Sequence, residues 1–105
     1  MPNGMIVLHA MFPIDLNRRT EALDLIEDLA EQSRQEEGII KYHATIDITD
    51  PHLIWFFELY KNEAAFTAHT ETAHFREFEE ALPRLLSGEP TIHQFEVEDV
   101  SDIKL

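Results

Sequence analysis

HLIWFFELYKNEAAFTAHTETAHFREF, residues 52–78, begins as a strand, turns at Lys61-Asn62 and continues as a helix carrying two histidines, His69 and His74. In the strand half, Ile54, Phe56 and Tyr60 alternate with Trp55, Phe57 and Leu59. Successive strand side chains point to opposite sides, so this strand is apolar on both faces. One face can pack on the chain's own core. The other needs a second cover, either more of the same chain or another subunit.

Upstream, residues 5–12 alternate well enough for a first strand, which Pro13 ends. Asp15 or Asn17 can cap the helix that follows, which runs to about Gln35. Its apolar positions Ala22, Leu25, Ile26, Leu29 and Ala30 recur at helical spacing, and Gly38 is placed to close it as a C-cap. In residues 39–48 we expect Ile40, Tyr42, Ala44, Ile46 and Ile48 on one face, with Lys41, His43, Thr45 and Asp47 on the other. Thr49-Asp50-Pro51-His52 is turn chemistry that joins two strands as a hairpin.

Downstream, Asn62 caps a short helix to about Thr72, and a second helical piece starts near Ala73. Pro83 should kink or break that piece, Gly88 and Pro90 stop it, and residues 91–97 read as a last strand before a short acidic tail. The order β-α-β-β-α-β is the ferredoxin-like pattern, an α+β fold in which a four-stranded antiparallel sheet carries its helices on one face. Its other face is bare and, from residues 52–60, apolar. Two such sheets packed face to face would cover it, so a homodimer is expected.

The 105 residues suit one domain, with a core over about residues 4–98. No run of about 18 apolar residues exists, so no membrane span is expected. The N-terminal apolar run lacks a basic start and leads straight into strand alternation, unlike a signal peptide. Absence of cysteine removes disulfides, thiolate nucleophiles and Cys-type zinc sites, and a cytoplasmic location is the default expectation. Twenty-one acids stand against eight bases, a net charge of −13 that repels nucleic acid and anionic membrane. The acids are scattered, and their mutual repulsion is relieved by salt. A halophilic host is one reading, an ordinary acidic cytosolic protein the other.

Six histidines invite a metal reading, but His69 and His74, five apart, would lie about 140° apart on one continuous helix. No metal is therefore expected. His9, His43 and His93 sit on three different strands, and parity does not say whether they share a face. Three glycines, all in turn or cap positions, make no phosphate cradle, and Ser33, Ser87 and Ser101 lack a nucleophile elbow. What remains is a pocket between sheet and helices. His69 follows Phe66 by three residues and Ala65 by four, next to the apolar side of its helix. It is either a satisfied core histidine or a proton-transfer group. Glu58 shares a strand face with Phe56 and Tyr60. It is either a structural partner or a carboxyl whose pKa is raised by desolvation.

Gly38, Tyr42, Asp47, Asp50-Pro51, the segment FFELYKNEAAFTAHTETAHFREF and the closing Leu85, Gly88 and Pro90 resemble the antibiotic biosynthesis monooxygenase (ABM) family. The likeness covers about residues 4–98 and is most specific over Glu58 to Phe75. It implies a dimeric α/β barrel and a small-molecule pocket in each subunit. It also implies, for some members, oxidation of a quinol or phenol by molecular oxygen without cofactor or metal. On that pattern Glu58, His69 and His74 are the candidate catalytic residues, and His9, Phe56, Tyr60, Phe66 and Phe78 the candidate pocket wall. A haem-degrading branch has an iron-ligating histidine where this chain has about Glu79, so haem is not expected. Other members isomerise a small phosphorylated sugar, and a non-catalytic ligand-binding or stress-related domain of the same fold is the remaining alternative.

Overall fold

A computed structural model describes residues 4–105. Strand β1 spans Met5–Pro13, helix α1 Arg19–Ser33, β2 Ile39–Ile46, β3 Leu53–Tyr60, α2 Glu63–Thr70, α3 Ala73–Leu85 and β4 Thr91–Val97. The sheet order is β2-β3-β1-β4 with every neighbouring pair antiparallel, the ferredoxin-like topology. The inner face of β1 (Ile6, Leu8, Ala10, Phe12) and of β3 (Ile54, Phe56, Tyr60) packs against Ala22, Ile26 and Leu29 of α1 and Phe78, Ala81 and Leu85 of α3. No described helix is long and apolar enough to cross a membrane.

The helix ends follow local chemistry. Asn62 Oδ1 accepts from the Ala65 amide and starts α2. The Thr72 hydroxyl donates to the His69 carbonyl at 2.8 Å and accepts from the Phe75 amide, so one side chain ends α2 and begins α3. Asp15 does cap, but it caps a single 3-10 turn over Leu16–Arg18, after which α1 begins at Arg19.

Three local expectations are corrected. Gly38 is not a left-handed cap, for no described glycine has positive φ. Its requirement is close approach: a Cβ there would fall 2.4 Å from Ala65 Cβ on α2. The clean alternation expected for β2 is interrupted by a register shift between Ile39 and Lys41. Ile39 and Tyr42 therefore both turn inward, while Ile40 is 51% exposed. Ile48 lies beyond the strand, in the turn. Finally, α3 runs through Pro83 to Leu85. The proline sits in the last turn, where its missing N–H removes one bond and the helix ends anyway.

The outer face stays uncovered. Trp55 and Phe57 of β3 and Phe95 of β4 lie on it, with Phe57 39% and Phe95 50% exposed.

Candidate functional site

A cavity of about 160 Å³ lies between the inner sheet face and helices α2 and α3. The register explains it. Tyr42, Glu58, Leu8 and Gln94 form one cross-strand row, and Ala44, Phe56, Ala10 and Ile92 the next. Ala10, beside Phe56 in that row, leaves room that Phe66, Phe75 and Phe78 roof without filling. The protic side chains of its wall are Tyr42, Glu58 and His69.

Glu58 is buried, and Tyr60 donates its hydroxyl hydrogen to Glu58 Oε1 at 2.5 Å. Burial pushes the Glu58 carboxyl up to about 7, against the hydroxyls of Tyr60 and Tyr42 beside it, which favour the charged form. Tyr42 and Tyr60 are themselves held above the usual phenol range, by burial first and by the Glu58 charge second.

His69 is 1% exposed. Its ring lies 5.5 Å, centroid to centroid, from both Tyr42 and Tyr60 and 5.2 Å from Phe75. Burial lowers its pKa, with the hydrogen bond to Glu36 opposing. Nδ1 of His69 is 2.8 Å from Glu36 Oε2, and Nε2 of His74 is 2.6 Å from the same oxygen. With Nδ1–H donating to that carboxylate, Nε2 of His69 is left as the ring's acceptor. This neutral imidazole is suited to take a proton from something in the cavity.

The chain matches the family model for antibiotic biosynthesis monooxygenase over residues 5–81. It belongs to the antibiotic biosynthesis monooxygenase family. A Bacillus subtilis (strain 168) protein named "Putative monooxygenase YcnE" is 36% identical over 84 residues, covering 80% of this chain and 88% of that one. The uncharacterised protein sll1783 of Synechocystis is 30% identical over 98 residues, covering 93% of this chain and 67% of that one. The crystal structure of a "putative antibiotic biosynthesis monooxygenase" from Caulobacter crescentus CB15 superposes with a TM-score of 0.85, at 24% identity and 92% coverage of both chains. That likeness shows the shared fold.

Within this ABM fold the expected residues are distributed unevenly. Glu58, His69, Phe56, Phe66 and Phe78 all line the cavity. Tyr60 stands behind the wall, packed on Phe66 and His69, and reaches the cavity only through Glu58. His9 does not belong there: it lies on the outer face, stacked on Trp55 with ring centroids 5.0 Å apart. Its neighbours Leu8 and Ala10 take the inner positions, as strand alternation requires. Leu8, Ala10, Phe12, Tyr42, Phe75 and Ile92 are wall residues that the sequence did not announce as such.

His74 lies on α3 and meets His69 through Glu36, because the break at Thr72 replaces the continuous helix on which the two rings would diverge. Their centroids are 5.9 Å apart. The ligand atoms of Glu36, His69 and His74 lie within 4.8 Å of one another, close enough to gather round a small cation. Both imidazoles also meet the carboxylate oxygen directly. Glu36 is the residue that sequence reasoning missed. No local signal marked it: only the folded approach of Gly38 to Ala65 brings Glu36, two residues before Gly38, to His69, one helical turn beyond Ala65.

His9, His43 and His93 turn out to share a face. With Phe57 they form one cross-strand row, His43-Phe57-His9-His93, on the outer side of the sheet.

Proposed function

We propose that this protein is a cofactor-independent monooxygenase of a small quinol or phenol. The observation that carries the reading is an aromatic-walled cavity in which a buried imidazole and a buried carboxyl are among the few protic groups. The family and the relative named as a monooxygenase support it.

In this reading His69 Nε2 takes the proton of the substrate hydroxyl, and Glu36 fixes the ring by accepting from Nδ1–H. Glu58, protonated at neutral pH to a substantial fraction, donates to a substrate oxygen and holds the developing anion. The anion is electron-rich enough to reduce oxygen itself. A hydroquinone and one O₂ give a hydroxyquinone and one water: one oxygen atom enters the ring, the other becomes water, and the substrate supplies the four electrons. The aromatic wall excludes bulk water. A second copy of the chain covers the outer face through Phe57, Phe95 and the histidine row, as an exposed apolar sheet face requires.

The test is mass spectrometry of the product formed from a hydroquinone under ¹⁸O₂. Incorporation of one labelled atom supports the monooxygenase. Unlabelled quinone would reduce the protein to an accelerator of plain oxidation.

A further inference from the structure

We propose that Glu36 and His74 form a proton path from the buried cavity to solvent, with His69 at its inner end. The path rests on the reading of His69 as the cavity's proton acceptor. A base this buried takes a proton as the substrate ionises and must give one back as oxygen leaves as water, and bulk water hardly reaches it between the two steps. His74 is placed differently. It lines an open surface groove with Gln32, Arg76, Glu77 and Glu80, separate from the cavity that His69 lines.

One carboxylate oxygen joins the two rings, at 2.8 Å from His69 Nδ1 and 2.6 Å from His74 Nε2. Both distances lie within hydrogen-bond range, so a proton needs no movement of heavy atoms to cross. The three groups come from three segments: the stretch before β2, helix α2 and helix α3. A clasp that merely held these segments together would need no member able both to accept and to give a proton, yet every member here can do both. At the outlet, Glu77, Glu80 and Arg76 are the charged side chains that share the groove with His74.

The transfer balances. Nε2 of His69 takes the substrate proton, and Nδ1 gives its own to Glu36 Oε2. Oε2 passes a proton to Nε2 of His74, and Nδ1 of His74 releases one to water. Each N–H or O–H bond broken is matched by one formed, and no oxidant or reductant takes part; when oxygen leaves as water, His69 Nε2 gives it its hydrogen, the same steps run backward, and both rings regain their starting tautomers. The path assigns His74 the tautomer with hydrogen on Nδ1, so the hydrogen of the 2.6 Å contact rides on Oε2, which accepts from His69 Nδ1–H and donates to His74 Nε2.

Nitrogen-15 NMR of the ring N–H groups, on the full chain without substrate, tests this. The quantity read is the exchange rate of the His69 Nδ1 hydrogen with water in wild type, Glu36→Gln and His74→Phe. Glutamine keeps an oxygen for the hydrogen bond but passes no proton, and phenylalanine keeps the ring's bulk. Each variant should slow exchange by about tenfold or more. A signal broadened away in wild type that appears in the variants counts as slowing. If His74→Phe does not fold, His74→Gln replaces it. Exchange as fast as wild type in either folded variant overturns the path. Because no substrate is used, slowed exchange without any oxygenase activity would sink the oxygenase reading and leave the path standing.

Discussion

Tyr60 holds its hydroxyl 2.5 Å from Oε1 of Glu58, two residues earlier on the same inner face of β3. The bond satisfies one oxygen of a buried carboxyl, and it does so without making the carboxyl a strong acid. Burial still wins, and Glu58 is pushed up to about 7 from 4.5.

That balance has a signed consequence for stability. Between pH 4.5 and 7 the folded chain holds a proton at Glu58 that the unfolded chain has lost. This contribution is fully present below the unfolded value and is lost as pH rises through the folded one, at a cost of about 3 kcal/mol. Glu58→Gln is neutral at every pH and lacks the term. The stability of wild type relative to Glu58→Gln, from urea unfolding, should therefore fall between about pH 4.5 and pH 7. A constant difference would show that Glu58 is not desolvated as described.

Gly38 carries a steric prediction. Gly38→Ala should destabilise by about 1–3 kcal/mol, since the new methyl group meets the side chain of Ala65 on α2. Ala65→Gly in the same chain should recover part of the loss, and the double-mutant cycle reads the coupling. Equal losses with and without Ala65 would point to backbone conformation instead.

The outer sheet face predicts an assembly. Phe57 lies at its middle, between His43 and His9 in one row. Light scattering should give a dimer for wild type and a monomer for Phe57→Glu, since an uncompensated charge buried there outweighs the apolar gain. A wild-type monomer at micromolar concentration would remove the second copy from the account.

Charge makes a further prediction. With a net charge of −13, the melting temperature should rise as sodium chloride is raised from about 0.1 M to about 1 M, where the Debye length shrinks from about 10 Å to about 3 Å. A flat profile would mean that the acids are spaced widely enough not to repel.

Much of the fold was legible because it rests on local chemistry. Thr91–Val97 was found as a strand with its observed limits, since Gly88 and Pro90 mark its approach. The break between α2 and α3 was visible at Thr72, whose hydroxyl both ends one helix and caps the next. The errors lie where one residue changes parity or where contacts are distant. A single shift near Ile39 turned Ile40 outward, and strand alternation put His9 on the face opposite the cavity. Glu36 read as one more solvated acid, because its partners stand 33 and 38 residues further along the chain. Glu58 and His69 were recoverable because each is a polar residue embedded in an apolar pattern.

The central claim is that His69 removes a proton from a substrate held in the cavity. Oxygen uptake with a panel of hydroquinones, in high salt, should exceed autoxidation with wild type and fall by about 10²-fold or more with His69→Ala. Uptake that survives the substitution in a folded protein would contradict the assignment of the base. No uptake by folded wild type with any hydroquinone would contradict the oxygenase reading and leave a ligand-binding domain in its place.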